Sequence, residues 1–308
     1  MNLSVELAPK NKRGLRLANP VMTASGTFGY GIEYETIFDI QRLGAVICKG
    51  TTIKPRAGNT QPRIAETPAG MLNSIGLQNI GVEVLIRDKA PVWSKWTVPV
   101  LVNIAGETVD EYSELAKRLD RVPGVSGIEV NISCPNVNAG GAEFGMRPES
   151  AAEVTAVVRE ATTLPMVVKL TPNTGEVVAV AVAVSRAGAD AVSLVNTLKG
   201  MAIDIRRRRP VLGNTTGGLS GPAIRPVALR MVYEVAGAID VPVIGCGGIA
   251  TGNDALEFFM AGASAIQVGS ASFANPRAAV DVLEGIEAFL REEKVESISE
   301  IVGAARRK

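Results

Sequence analysis

The sequence predicts an α/β fold, a single-domain (β/α)8 or TIM barrel over residues 1–308, and three observations predict it. Eight short β-branched runs recur along the chain with helix-like segments between them. Nearly all of these runs are continuously apolar rather than alternating, as parallel strands covered by crossover helices are. The 308 residues, 46% hydrophobic and 20% charged, suffice for the core of one large domain of this kind.

The expected strands are Asn19–Ser25, Ala45–Thr51, Val98–Ala105, Gly127–Cys134, Pro165–Pro172, Ala191–Thr197, Val241–Gly248 and Ala265–Ser270. Helix signals lie between them. Asn275-Pro276 supplies a cap and a first-turn proline ahead of a helix over Arg277–Leu290. Ala187-Gly-Ala-Asp-Ala191 and Ala261-Gly-Ala-Ser-Ala265 each end a helix on glycine and lead into a strand, which reads as a repeated βα unit. Val177–Val184 reads as a buried helix, since it is far too short for a bilayer and Arg186 follows it. Three connections, near 52–79, 135–148 and 198–222, are too long to be turns. In this architecture the loops after strands form the catalytic face, so these insertions are expected to cover a substrate.

Thirty-two basic and 31 acidic side chains leave a net charge of +1, with no broad field to attract nucleic acid or an anionic membrane. The N-terminal stretch Met1–Gly14 lacks the apolar core of a signal peptide, so no secretion is implied. Cys48, Cys134 and Cys246 are too dispersed for a disulfide framework or a metal site, and a reducing cytoplasm fits them. The run Arg206–Arg209 reads as a solvated face and has no assigned role.

The chain has no histidine, so a general base working near neutral pH has to be a cysteine, a lysine or a carboxylate. Asn131-Ile-Ser-Cys-Pro-Asn136 puts a thiol and two amides where an apolar run stops, which makes Cys134 the leading candidate. Pro135 and the stretch Asn138–Gly145 that follow suit a lid that excludes water. Cys48 and Cys246 read as packing residues.

Lys49, Asn103, Asn131, Lys169 and Asn196 stand at or near the carboxyl ends of apolar strands. Asn131 shares side-chain parity with Glu129, and Lys169 with Thr171, so these polar positions turn toward the barrel axis and converge on one mouth. Two lysines there call for anions, either an internal partner such as Glu129 for Lys169 or a ligand. Gly245-Cys-Gly-Gly248 and Val268-Gly-Ser270 follow the seventh and eighth strands, the recurrent phosphate cradle of this architecture, and imply a phosphorylated cofactor. No Rossmann fingerprint or P-loop is present.

Asn19-Pro-Val-Met-Thr-Ala-Ser-Gly-Thr-Phe-Gly-Tyr30, Lys49-Gly-Thr-Thr52, Lys54-Pro-Arg56, Met71-Leu-Asn-Ser-Ile-Gly-Leu-Gln-Asn79, Asn131 to Asn136, Lys169-Leu-Thr-Pro172, Val195-Asn-Thr197, Gly217-Gly-Leu-Ser-Gly-Pro222 and Gly247-Gly-Ile249 together resemble the class 1 dihydroorotate dehydrogenases, and more closely their type B catalytic subunit. The match runs from the first strand to the last. The resemblance implies oxidation of (S)-dihydroorotate to orotate in pyrimidine (UMP) biosynthesis, with hydride passing to N5 of FMN and the C5 proton to Cys134. By position it implies flavin contacts from Ser25, Lys49, Gly50, Asn103, Asn131, Lys169, Val195, Gly221, Gly247, Gly248, Gly269 and Ser270. Substrate contacts would come from Lys49, Asn73, Ser74, Ile75, Gly76, Leu77, Asn131, Asn136, Asn196 and Thr197. Lys169 would act catalytically beside the flavin, as a fixed cation where negative charge develops.

The resemblance also implies a homodimer core within a heterotetramer of two catalytic and two electron-transfer chains. The electron-transfer chain would carry FAD and a 2Fe-2S iron–sulfur cluster and pass electrons to NAD+. Three dispersed cysteines cannot hold such a cluster in this chain. A cysteine at the base position and no N-terminal extension disfavour the membrane-bound class 2 enzymes, whose base is serine. The fumarate-linked type A enzymes also use cysteine and stay open at this stage. Two other readings use the same residues: a lyase with a Schiff base on Lys169, and a non-catalytic phosphate-ligand-binding barrel.

Overall fold

The computed structural model describes residues 1–133 and 143–306. Eight strands form one parallel sheet: β1 Val21–Thr23, β2 Val46–Ile47, β3 Val100–Ile104, β4 Gly127–Asn131, β5 Met166–Leu170, β6 Ala191–Leu194, β7 Val243–Cys246 and β8 Ala265–Val268. Each lies inside one of the eight expected spans. Neighbours in the sheet are neighbours in sequence, and β8 pairs with β1. A parallel bridge between Met22 and Ala45 links β1 to the start of β2, with Thr23 N donating to Ala45 O at 3.2 Å, and closes the barrel.

Every residue of these strands is buried, because both faces are covered. Outward-facing Val100, Val102, Val168 and Val192 pack in the large core under the helices. Inward-facing Leu101, Val167, Ala191 and Ala265 form a second core, plugged from below by Leu17 of the antiparallel pair Val5–Glu6 and Arg16–Leu17 and by Leu7 and Leu15 at its end. Two residues further along the same strands the inward positions become Asn103, Lys169, Ser193 and Gln267. The strand period of two therefore carries the barrel interior from an apolar floor to a polar mouth.

Some helix ends carry capping or glycine signals. Thr251 and Asp254 form a capping box on Gly252–Ala261, and Thr108 Oγ1 accepts from Glu111 N at the start of Val109–Leu119. Gly188 and Gly262, the paired glycines of the repeat, take φ of 106° and 117° after their helices, a region that other residues enter at a cost. Val177–Arg186 is a helix that buries Val177, Val180, Ala181 and Val184 on one face. The cap expected at Asn275-Pro276 falls early: the helix runs Ala278–Glu292 with Arg277 at its N-cap and no side-chain cap bond, because Asn275 Oδ1 accepts from Arg277 N in the turn before it. The crossover from β1 to β2 departs from the helical expectation. Two 3-10 turns, Ile32–Tyr34 and Ile40–Arg42, make it, with Phe28 stacked on Tyr34 at 3.8 Å between centroids where a helix would pack.

Two of the long insertions build one cover. The hairpin Ile64–Thr67/Gly70–Asn73 from the first pairs antiparallel with Gly217–Ser220 from the other, and Leu198–Gly200 completes a four-stranded sheet. Arg206–Arg209 is exposed at a small hairpin, Ile203–Asp204/Arg209–Pro210, as a solvated face should be. Of the connection expected near 135–148, residues 135–142 lie outside the described residues; a 3-10 turn follows at Phe144–Met146, and Pro148 opens a helix to Ala161. Among the described residues no helix is long and apolar enough to cross a membrane.

Candidate active site

The carboxyl ends of the strands converge as expected. Ser25 follows β1, Lys49 and Gly50 follow β2, Asn103 lies on β3, Asn131 ends β4, Lys169 lies on β5, Val195 and Asn196 follow β6, Gly247 and Gly248 follow β7, and Gly269 and Ser270 follow β8. Lys169 Nζ reaches Ser25 Oγ at 3.5 Å, across the barrel from its own strand. Asn196 Nδ2 reaches Asn131 Oδ1 at 3.5 Å and also donates to Ser133, whose hydroxyl donates to Asn131 Oδ1 at 2.9 Å. Asn131 is fixed from behind, since Tyr112 OH donates to its backbone carbonyl at 2.6 Å.

The insertion 52–79 closes down over β2. Asn79 is buried and splits its amide: Oδ1 takes Gly81 N at 2.8 Å, while Nδ2 donates to Thr52 Oγ1 and Leu77 O. That clamp sets the segment Asn73–Leu77 above the mouth. A side chain on Gly50 would stand 3.4 Å from Leu77 Cδ2 and 3.1 Å from Asn103 Oδ1, so three sequence-predicted positions meet there. Asn73 Nδ2 donates to Gly218 O at 3.2 Å, Ser74 is buried with its hydroxyl accepting from Asn59, and Gly76 and Leu77 take φ of 71° and 53°. Thr197 packs its hydroxyl against Gly218, where a side chain could not fit, and Ile75 O accepts from Asn59 N.

Lys49 is half-buried, and burial lowers its pKa, with the nearby Arg63 cation adding to the effect. A charge held at that cost favours an anionic group beside it. The other thiols behave as packing residues. Burial pushes Cys48 up to about 12, and burial also raises Cys246, so neither supplies thiolate near neutral pH. Cys134 and Asn136 lie outside the described residues, as does the stretch 138–142 expected to serve as a lid. Gly145, at its end, is buried and donates to Ile132 O at 2.7 Å.

The residues present fit a flavin mononucleotide. Among the described residues the amides of Gly247, Gly248, Gly269 and Ser270 donate to no backbone carbonyl, and four unspent N–H groups after the last two strands are what a phosphate requires. Asn103 Oδ1 is buried with no partner, an acceptor aimed at the bare Gly50. Gly221 and Gly248, assigned to one ligand from positions far apart in sequence, do meet: a side chain on Gly248 would lie 2.8 Å from Gly221 O. Gly248 also has φ of 73°. Gly248→Ala is therefore expected to cost about 2 kcal/mol or more in stability, seen as a lower Tm, and to weaken flavin retention on gel filtration.

The polar layer beneath the mouth is larger than the sequence reading had it. Glu129 is fully buried and accepts from Asn103 Nδ2 at 2.7 Å, Ser193 Oγ at 3.1 Å and Gln267 Nε2 at 2.7 Å. Gln267 Oε1 in turn lies 3.4 Å from Lys169 Nζ, so Gln267 bridges the lysine and the Glu129 carboxylate. Ser193 and Gln267 received no role from the sequence. The signal was available, since each is the one polar residue of its strand and faces inward by the period of two. Among the described residues no cluster of three potential metal ligands occurs.

A family model described as dihydroorotate dehydrogenase matches residues 8–290. A "Dihydroorotate dehydrogenase B (NAD(+)), catalytic subunit" of Geotalea uraniireducens (strain Rf4) is 56% identical over 303 residues, 98% of this chain and 98% of that protein. Proteins of the same name from Citrifermentans bemidjiense (57% over 291 residues; 94% of this chain, 95% of that one) and Desulforudis audaxviator (56% over 294; 96% of each) are similar to the same extent. On a match of this length and identity, over a barrel whose strand ends bear the motifs, the chain belongs to the dihydroorotate dehydrogenase family.

Proposed function

We propose that this chain oxidises (S)-dihydroorotate to orotate in pyrimidine biosynthesis, as the catalytic subunit of an NAD+-linked enzyme, with FMN as the first electron acceptor. The observation that supports the reading is that Lys49, Asn131, Asn196 and Lys169 all stand at or just after the carboxyl ends of barrel strands, with Asn196 Nδ2 3.5 Å from Asn131 Oδ1 and Lys169 Nζ 3.5 Å from Ser25 Oγ, beside the glycine-bearing ends of β7 and β8. FMN, when bound, supplies the hydride acceptor. The chain's own residues do the rest. Amides that both donate and accept, at Asn73, Asn131, Asn136 and Asn196, suit the flat ring of orotate, and Lys49 suits its carboxylate. Ser74 to Leu77 and Thr197 complete the cover on that side. The amides of Gly247, Gly248, Gly269 and Ser270 hold the phosphate, with Gly221 and Val195 packed beside them and Ser25, Lys49, Gly50, Asn103 and Asn131 along the ring. Lys169 places a cation where charge develops, and Cys134 takes the C5 proton.

In this reading residues 1–308 act as one flavin-binding domain in the cytoplasm. Electrons leave through a partner subunit that carries FAD and a 2Fe-2S cluster, in a heterotetramer built on a dimer of this chain. Purified protein should be yellow, bleach anaerobically with dihydroorotate and release orotate. Reduction of NAD+ only when the iron–sulfur partner is added, with fumarate inactive, is the expected pattern. A colourless protein that borohydride traps through Lys169 would point to a lyase instead, and fumarate reduction by the chain alone would point to the type A chemistry.

A further inference from the structure

Glu129, Ser193 and Gln267 meet inside the barrel just below the mouth, and the proposed reaction has no use for them as they stand. A carboxamide can present its oxygen or its NH2 group in the same space, and its shape does not choose between them. Glu129 chooses, because a carboxylate offers acceptors only. Asn103 gives Nδ2 to Oε2 and Gln267 gives Nε2 to Oε1, each at 2.7 Å, so both amides have committed their NH2 ends to the carboxylate. Their oxygens are left for other partners. Gln267 Oε1 stands 3.4 Å from Lys169 Nζ, and Asn103 Oδ1 is buried, without a partner and beside Gly50.

We propose that Glu129 and Gln267 are positioning residues of the flavin site: the buried carboxylate sets the polarity of both amides, so that Asn103 offers an acceptor to a ring N–H of the cofactor and Gln267 offers one to the Lys169 ammonium. This deepens the flavin reading above and rests on it. Turned the other way, Gln267 would set NH2 against the ammonium, and Asn103 would set a donor against the ligand's donor. One acidic side chain with no ligand contact of its own thus decides the sign of two contacts in the mouth.

The test measures FMN affinity and the midpoint potential of the bound flavin, neither of which needs turnover. Glu129→Gln keeps the shape but brings an NH2 group of its own. It is expected to weaken FMN binding about tenfold and to change the preference for reduced over oxidised FMN about tenfold, a shift of about 30 mV for a two-electron couple. Gln267→Leu should also move the potential. Lys169→Met with Gln267→Leu should move it no further than Lys169→Met alone, because Gln267 acts through the lysine. A merely structural role would lower Tm and leave the potential in place.

Wild-type potentials in folded, FMN-loaded Glu129→Gln and Gln267→Leu would overturn the positioning role and leave the flavin reading standing. Wild-type protein that takes up no FMN would overturn both. Should Glu129→Gln fail to fold, Gln267→Leu and the double-variant comparison decide by themselves.

Discussion

Cys134→Ala should slow the reduction of bound flavin by dihydroorotate by about a thousandfold, the largest effect foreseen for any single side chain here. Neither an imidazole nor another thiol can take over. The chain has no histidine, and burial has pushed Cys48 up to about 12 and raised Cys246, so the two remaining thiols supply no thiolate near neutral pH. The pH profile separates loss of the base from general damage. An ordinary thiol titrates at about 8.5, so a thiol base makes flavin reduction accelerate as pH rises from 6.5 toward 9, with the protonated form inactive. Cys134→Ala should flatten that rise, and Cys134→Ser should keep binding while shifting the useful range upward, since a hydroxyl ionises far less readily. Stopped-flow reduction across pH settles the point: a wild-type rate independent of pH between 6.5 and 9 would take Cys134 out of the role.

Lys169→Met should lower the same rate by about a hundredfold or more, with a smaller effect on FMN binding. The physical reason is position. Lys169 is buried to 4% exposure and projects from β5 toward Ser25 on β1 and Gln267 on β8, so its ammonium lies within the polar mouth at low dielectric, where a cation opposite developing negative charge has its full effect. Met keeps the length and removes the charge, which leaves the packing of β5 in place. A rate unchanged in folded, flavin-loaded Lys169→Met would show that the lysine serves the barrel's internal charge balance rather than the reaction.

Much of the site was legible because the strand period is a local property. Lys169 is the one charge in Met166–Leu170, and Asn103 the one amide in Val100–Ile104, so their inward direction and their height in the barrel follow from counting two along an apolar strand. The glycines after β7 and β8 were legible for a similar reason, since residues without side chains at the ends of barrel strands leave amides open. Gln267 and Ser193 were visible by the same count and stayed without a role, because their partner, Glu129, belongs to a strand over 60 residues away. The 3-10 connection from β1 to β2 was not legible, since local turns at Gly31 and Tyr34 stack Phe28 on Tyr34 in place of a helix.

The amino-acid sequence alone determined the eight strands, their order around a closed barrel and the polar character of one mouth. Tertiary structure alone decided that the insertions at 52–79 and 198–222 become one antiparallel cover, with Asn73 paired to Gly218 across 145 residues, and that Asn103 and Gln267 both give their NH2 ends to Glu129. Periodicity, caps and turn glycines act over a few residues and are written in order along the chain. Register between distant strands, and the choice between the two ends of an amide, depend on which acceptor or backbone stands opposite, and only the folded barrel puts one there.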